Sequence, residues 1–275
     1  MKVGYFGNLF LKGENKELSD KVYFFVSECK IREIKFLVCS GGISNNYHTT
    51  LSFVDKLGSE CKKEGINFSF IIGNTDLYYP MSEANADKES KFNEILLKYQ
   101  SNEFYLPNHP IFSRDVRICG FESWYDYSLY RGNPRELKDI TKKSLLFLKN
   151  KDVKYLTNAS DYVAGVDDTF DKRYTSQTLS RMTSRLDAYH QRWGQPQYNV
   201  VVQYFMPSKS FLKESYLENY FGTFKGSFQY YEVFKKCNVT DCVIGIPCRE
   251  DYPHKIGNTR FFNPSNIIQE VEYKV

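Results

Sequence analysis

The stretch of sequence that decides the fold runs from residue 68 to residue 80 and reads FSFIIGNTDLYYP. Its first five residues are mostly apolar and favour β structure, which predicts a short buried strand. The next four, Gly73-Asn74-Thr75-Asp76, offer an amide, a hydroxyl and a carboxylate directly after that strand. Because α/β proteins commonly carry their sites at the carboxyl ends of strands, the stretch predicts a strand that leads into a site-like loop.

Strand-like and helix-like segments alternate on both sides of this stretch. The predicted strands cover residues 3–6, 34–39, 68–72, 116–121, 198–205, 240–245 and 259–262, and the predicted helices cover residues 14–30, 51–61, 179–193 and 224–236. Single helices between strands predict parallel strand–helix–strand units in an α/β fold, with the polar loops gathered along one rim. The chain shows no repeat or linker, so we expect one domain over residues 1–275. The polar, turn-rich residues 131–175 are expected to form an excursion over the rim.

The composition is typical of a soluble globular domain, with 41% hydrophobic and 25% charged residues and a mean hydropathy of −0.51. The net charge of +4 is mild, and basic residues cluster only in pairs such as Lys62-Lys63, so nucleic acid is not an expected partner. No apolar stretch approaches a membrane span and the first residues do not resemble a signal peptide, which predicts a cytoplasmic protein without membrane contact. The seven scattered cysteines include no C-x-x-C pair, which favours reduced thiols.

Five predicted rim loops follow the strands along the chain. Their sequences are GNLF at 7–10, GGISN at 41–45, GNTD at 73–76, VQYF at 202–205 and IGIPC at 244–248. Their order and setting resemble the calcineurin-like metallophosphoesterases, which carry D-x-H, G-D, G-N-H-D, a strand-ending H and G-H-x-H in that order. The segments GGISNNYHTTLSFV (41–54), SWYDYS (123–128) and FFNPSN (261–266) extend the resemblance to a bacterial branch of the family. The resemblance implies a four-layer αββα sandwich.

The departures from the family pattern concern its metal ligands and its catalytic histidine. Carried over position by position, these residues fall on Asn8, Phe10, Gly42, Asn74, Thr75, Tyr204, Ile246 and Cys248. In the family they hold two divalent metals that activate a water and clamp a phosphate, and only Asn74 retains the family's ligand. Two closely spaced divalent ions need anionic ligands, and both carboxylates are missing here. The resemblance therefore implies a pseudo-phosphoesterase with no catalytic residue, no metal and no cofactor.

Two alternatives remain open for the emptied site. A non-standard metal site could be rebuilt from other ligands, namely Cys39, His48, Asp76, Cys248, Glu250 and Asp251. A metal-free site could instead bind a phosphate or nucleotide through the backbone N–H groups of Gly41 and Gly42. In that case Asn74, Asp76 and a cation such as Arg249 or Lys12 would contribute. Otherwise Asp76 is expected to act as a structural hydrogen-bond acceptor in its loop.

The partner expected for such a pseudo-enzyme is a protein. An active paralogue and a second copy of the chain are both candidates, because inactive relatives of enzymes commonly act by binding. The 22 tyrosines and 22 phenylalanines are compatible with an interface, since aromatic side chains are enriched there, and equally compatible with a large core. Nucleic-acid binding is the third hypothesis, and a salt-dependent retention of DNA or RNA would support it.

Overall fold

A computed structural model describes residues 1–80, 83, 88–129, 168–212 and 224–274. The strands are β1 (Lys2–Phe6), β2 (Phe36–Cys39), β3 (Asn67–Phe70), β4 (Ile111–Phe112), β5 (Val116–Phe121), β6 (Tyr198–Gln203), β7 (Asp241–Ile244), β8 (Lys255–Ile256), β9 (Thr259–Phe262) and β10 (Gln269–Glu272). The helices are α1 (Asn15–Ile31), α2 (Tyr47–Lys63), α3 (Lys88–Gln100), α4 (Asp168–Trp193) and α5 (Gln229–Lys236), and two short 3₁₀ turns cover Thr75–Leu77 and Lys209–Phe211.

The strands form two sheets, and most neighbouring strands in each sheet are parallel, as the sequence predicts. One sheet has four strands in the order β10-β1-β2-β3, and the other has six in the order β4-β5-β6-β7-β9-β8. Neighbours are parallel from β1 to β3, from β5 to β7 and between β7 and β9, whereas β10, β4 and β8 pair antiparallel at sheet edges. The parallel strands of each sheet therefore end along one rim.

The two sheets pack face to face and the helices cover their outer sides. The hydroxyl of Tyr5 on β1 lies 2.9 Å from that of Tyr273, which follows β10. The ring of Tyr273 in turn lies 5.0 Å, between centroids, from that of Tyr198 on β6 of the other sheet. The approach is close enough that a Cβ at Gly120 on β5 would lie 2.7 Å from the side chain of Ile71. These contacts confirm the expected four-layer αββα sandwich.

Helix α1 shows why the outer layers form where they do. Its buried residues Leu18, Val22, Phe25 and Cys29 recur every three or four positions, which places them on one face of a helix. Phe25 stacks on Phe6 of β1 with a centroid separation of 4.0 Å, so this face is turned to the sheet. Within the described part of the chain, no helix combines the length and the apolar character that a bilayer span requires.

Three predicted boundaries differ from the structure. No helix was predicted between residues 73 and 116, but this region contains α3. Helix α4 begins at Asp168, so the last part of the predicted excursion at 131–175 is helical, and residues 131–167 lie outside the described residues. Helix α5 begins at Gln229 rather than at residue 224.

The late start of α5 has a physical cause in the segment that precedes it. The backbone N–H of Met206 donates to the carbonyl of Lys225 at 2.8 Å, and the N–H of Ser227 donates to the carbonyl of Met206 at 3.2 Å. Gly226 between them has a φ of +151°, which is an extended conformation that L side chains rarely adopt. The segment is thus paired alongside Met206 and is unable to coil into the first turn of a helix.

Candidate functional site

The polar loops meet at the carboxyl rim of the parallel strands, as the sequence predicts. The loop after β1 runs alongside the loop after β2, because the N–H groups of Asn8 and Phe10 donate to the carbonyls of Gly41 and Gly42 at 2.9 and 3.2 Å. The loop after β7 belongs to the other sheet, yet the side-chain amide of Asn8 donates to the carbonyl of Gly245 in it. The rim is therefore a single structure to which both sheets contribute.

Asp76 is the centre of a hydrogen-bond cage at this rim, although it is fully buried. Its carboxylate accepts five hydrogen bonds of 2.8 to 3.0 Å. The donors are the backbone N–H groups of Gly42, Ile43, Ser44 and Gly73 and the hydroxyl of Thr50. We call this set the Asp76 cage. It joins the loops after β2 and β3 and the first turn of α2 through one side chain, which agrees with the predicted structural role of Asp76.

The Asp76 cage fits an ionised carboxylate. Burial raises the pKa of Asp76, and the N–H groups of Gly73, Ser44 and Gly42 oppose this rise because they stabilise the negative charge. A backbone N–H can only donate, so a proton on either carboxylate oxygen would face a donor instead of an acceptor. The ionised carboxylate is therefore the form that can accept a hydrogen bond from every donor of the cage.

The ring of Tyr204, at the position that the resemblance assigns to the family's strand-ending histidine, fills the centre of the rim. It packs on three glycines, since a Cβ at Gly41, Gly73 or Gly245 would lie 2.9, 2.6 or 2.6 Å from its ring carbons. Burial raises the pKa of the Tyr204 phenol, which stays neutral as a result. Gly41 and Gly73 follow strands of one sheet and Gly245 follows a strand of the other. Tyr204 thus acts as a packing element between the two sheets.

Gly42, the position that the resemblance assigns to the bridging aspartate, is closely surrounded by Asn8. A Cβ there would lie 2.8 Å from Oδ1 of Asn8, and the φ of +71° is one that residues with a Cβ rarely adopt. Asn8 lies at the position of the first aspartate. Its Nδ2 donates to the carbonyl of Gly245 and, at 3.4 Å, to that of Pro264. An aspartate could not make these two bonds, because a carboxylate only accepts.

The remaining former ligand positions are apolar or protonated. Phe10 is exposed, whereas Ile246 is buried. Burial raises the pKa of the Cys248 thiol to about 12. This thiol points to the carbonyl of Ile246, with 3.6 Å between sulfur and oxygen. This thiol would have to lose its proton for a metal to bind, since metals bind the thiolate.

The GNTD loop holds the two other predicted positions. The side chain of Asn74 makes one long hydrogen bond, in which Nδ2 lies 3.4 Å from the hydroxyl oxygen of Tyr78. Thr75 lies at the position that the resemblance assigns to the catalytic histidine, and its hydroxyl oxygen is buried without a hydrogen-bond partner. Neither of these two side chains is hydrogen-bonded to a carboxylate or an imidazole that could share in acid–base chemistry.

The geometry gives little support to the two alternatives for this site, a rebuilt metal site and a metal-free anion site. Within the residues that the structure describes, no three His, Cys, Asp or Glu side chains are grouped as a metal would require. Of the proposed ligands, Asp76 is committed to its cage and His48 binds Glu83, with 2.6 Å between Nε2 and Oε1. The Gly42 N–H that a metal-free anion site would use is held by Asp76. Arg249 lies 3.2 Å from a carboxylate oxygen of Asp251.

Sequence reasoning did not assign the residue that fastens the last rim loop. Asn263, in the FFNPSN segment, accepts a hydrogen bond from the N–H of Cys248 at 2.9 Å. Its Nδ2 donates to the carbonyls of Ile244 and Ile246 at 2.6 and 3.0 Å. The signal was an asparagine followed by proline at the end of a strand, but its partners lie 15 to 19 residues away. Only the folded chain reveals them.

Comparisons with known proteins give likeness in structure only. No protein-family model matches the chain, and no curated protein matches its sequence. One solved structure has a TM-score of 0.50 at 14% identity and covers 99% of both chains. A dimetal phosphatase from Danio rerio has a TM-score of 0.45 at 11% identity, over 89% of this chain and 80% of its own. GAP50, the anchor in the inner membrane complex of Plasmodium, has a TM-score of 0.43 at 12% identity, over 89% of this chain and 65% of its own.

Proposed function

We propose that this chain is a degenerate member of the calcineurin-like metallophosphoesterases which does not hydrolyse phosphoesters and acts by binding. The observation that carries the proposal is the occupation of the rim by the protein's own groups. The ring of Tyr204 lies on Gly41, Gly73 and Gly245, and Gly42 has no room for the carboxylate that bridges two metals in the family. A protein with this rim has kept the family's loops and lost their chemistry.

The charges at the rim argue in the same direction. Two divalent ions a few ångströms apart repel each other strongly, and carboxylate ligands are what offsets that repulsion. Asp76 is the carboxylate at the centre of the rim, and its oxygens are used by five internal donors. Asn8 presents amide protons to backbone carbonyls. The groups at the former ligand positions therefore stabilise the rim without a metal and do not supply the ligands that a metal needs.

The role that we propose is regulation or scaffolding through a protein partner in the cytoplasm. An active paralogue of the family and a second copy of this chain are the two candidates for that partner. Exposed aromatic side chains support a binding role, because large aromatic groups on a surface are typical of interfaces. Phe10 at the rim and Trp193 at the end of α4 are two such groups.

The test of inactivity combines metal analysis with turnover. The purified protein is incubated with manganese, its bound metal is measured by elemental analysis, and a chromogenic phosphodiester is added. We expect less than stoichiometric metal and a rate equal to that without protein, beside an active metallophosphoesterase as positive control. Stoichiometric metal with sustained turnover would overturn the proposal. In that case Asn74→Ala would abolish turnover if the old site were responsible, and Asn93→Ala, an exposed change on α3, would not.

A further inference from the structure

Three aromatic rings form an exposed cluster where β4 meets the end of α4. Phe112 on β4 contacts Tyr189 and Trp193 on α4 with centroid separations of 5.2 and 4.7 Å, and the two α4 rings lie 5.6 Å apart. Phe112 and Trp193 remain 43% and 52% exposed in spite of these contacts. Trp193 is one of six consecutive exposed residues at 190–195, so the cluster stands at the open end of the helix.

Arginines without a carboxylate partner surround this cluster. Of the nine arginines in the described ranges, five form ion pairs with Asp or Glu. The paired ones are Arg32, Arg173, Arg181, Arg249 and Arg260. The four others are Arg114, Arg117, Arg185 and Arg192, and all of them belong to the β4–β5 hairpin or to the second half of α4. Within the described ranges, the arginines that lack a carboxylate partner are thus grouped in this one part of the molecule.

The contacts of these arginines tie them to the aromatic cluster. The guanidinium carbon of Arg192 lies 4.7 Å from the ring centroid of Trp193, and that of Arg117 lies 6.0 and 5.9 Å from the centroids of Phe112 and Tyr189. Arg185 donates to the carbonyl of Pro107, just ahead of β4, at 2.6 Å. Cations over ring faces are attracted to them and stay available to an incoming anion.

Arg117 shows that the local structure uses only part of this charge. Its Nη2 donates to the carbonyls of Tyr189 and Gly194, at 3.3 and 2.8 Å, and so caps the end of α4. Its Nε and Nη1 are buried and have no hydrogen-bond partner, although the residue is only 3% exposed. A buried guanidinium with two unpaired nitrogens is costly, and a nearby negative charge would lower that cost.

We infer that this arginine–aromatic patch (Phe112, Tyr189, Trp193, Arg117, Arg185 and Arg192) docks an acidic segment of a partner protein. The inference rests on the proposed protein-binding role and not on the loss of catalysis. Tryptophan, tyrosine and arginine are the residues that dominate binding energy at protein interfaces. The exposed rings would hold an apolar or aromatic side chain of the segment, while Arg192, the exposed arginine of the patch, would pair with its carboxylates.

A protein segment fits the patch better than a nucleic acid does. Nucleic-acid binders usually extend positive charge along a stripe that follows the phosphates. Here the net charge is only +4, and the other five described arginines are already paired with carboxylates. The described arginines that lack a carboxylate partner lie near one end of α4 and do not form an extended stripe, which matches a short acidic segment.

The test uses a model peptide that alternates Glu and Phe, labelled for fluorescence anisotropy. We expect saturable binding that weakens as salt is raised. Arg192→Glu and Trp193→Ala should each weaken it by about tenfold or more, as expected at the centre of an interface. Both residues are exposed, so the variants should fold, and thermal unfolding checks this. The controls are Lys56→Glu and Tyr23→Ala, which change an exposed charge and an exposed ring on α2 and α1.

A second readout places the peptide on the molecule. The chain has two tryptophans, and the indole of Trp124 is buried, with Nε1 donating to Asp171 at 2.7 Å. In ¹⁵N-labelled protein, the indole signal of Trp193 should shift on titration while that of Trp124 stays in place. The inference is overturned if the peptide does not bind, if the patch variants bind as well as the controls, or if single-stranded RNA binds more tightly with the same sensitivity. If the protein binds the peptide and also hydrolyses the phosphodiester, only the proposal that it is inactive is overturned, and the docking inference stands.

Discussion

A buried carboxylate is stable only where donors replace the water that it has lost, and Asp76 has five of them. Four of these are main-chain N–H groups, which the fold places and which only a substitution by proline would remove. Through them one side chain fixes the loops after β2 and β3. At the scale of the residue, Asp76 is therefore what ties together the rim loops of the four-stranded sheet.

Asp76→Asn should destabilise the protein strongly. The new amide nitrogen would face N–H donors that now lack an acceptor, so we expect a loss of roughly 3 to 5 kcal/mol in the free energy of unfolding. Urea unfolding followed by circular dichroism measures it. The matched control is Asn74→Ala in the same loop, which removes one long hydrogen bond and should cost less than about 1 kcal/mol. Equal effects for the two variants would refute the role of the Asp76 cage.

The sequence placed Asp76 in a loop and indicated a structural acceptor, but it did not identify the donors. Those donors come from residues 26 to 34 positions away and from Gly73 in its own loop. Which main-chain groups point at a carboxylate depends on the register between two loops. That register is set by the sheet, so it is absent from any local pattern.

A charged network joins α2, α3 and the residue Glu83 that lies between them. Glu83 accepts hydrogen bonds from the hydroxyl of Tyr47 at 2.9 Å and from His48 at 2.6 Å, and it pairs with Lys91 at 3.1 Å. Partial burial raises the pKa of Glu83, but the bonds from His48, Tyr47 and Lys91 outweigh this and lower it to about 2. The network stabilises the contact between two helices as long as Glu83 is ionised.

Glu83→Gln should therefore lower stability in a pH-dependent way. Because the pKa of Glu83 is depressed in the folded protein, its contribution is complete above the unfolded value and is lost as the pH falls through the folded value. We expect a cost of about 1 kcal/mol at pH 7, after allowance for solvent screening. The difference between wild type and variant should shrink between about pH 5 and pH 2. A difference that stays constant over this range would contradict the assignment.

Helices and strands were predictable where apolar residues recur at a regular spacing within the segment itself. Helix α3 carries the same signal, since its buried residues Phe92, Ile95, Leu96 and Tyr99 have helical spacing, and attention to that spacing would have found it. The start of α4 was harder, because Asp171 on its buried face is a carboxylate that binds the indole of Trp124. A buried polar residue breaks the apolar pattern by which helices are found.

At the scale of the whole molecule, Tyr204 links the two halves of the sandwich. Its ring contacts Gly41 and Gly73 beyond one sheet and Gly245 beyond the other. The four-layer order followed from alternating strands and helices, but the sequence could not show that a side chain in place of a metal ligand would close the rim. Packing across two sheets depends on distances that no single segment contains.

Tyr204→Ala should weaken the cohesion of the sandwich. It would leave a cavity between loops of both sheets, and we expect a loss of roughly 3 to 5 kcal/mol, as for other large core residues. Two probes follow urea unfolding, namely far-ultraviolet circular dichroism and the fluorescence of buried Trp124. Tyr23→Ala, an exposed change on α1, should be nearly neutral. An effect of Tyr204→Ala as small as that of Tyr23→Ala would show that the ring does not join the sheets.

The Asp76 cage also determines which groups at the rim are free to bind dissolved anions. A tethered group acts at an effective concentration that its tether sets, on the order of millimolar for short flexible linkers, and Asp76 is held by the fold itself. Free phosphate or a nucleotide would have to displace a carboxylate that cannot diffuse away. The four main-chain amides of the Asp76 cage are therefore already occupied. Recognition at this edge of the molecule therefore falls to projecting side chains such as Phe10.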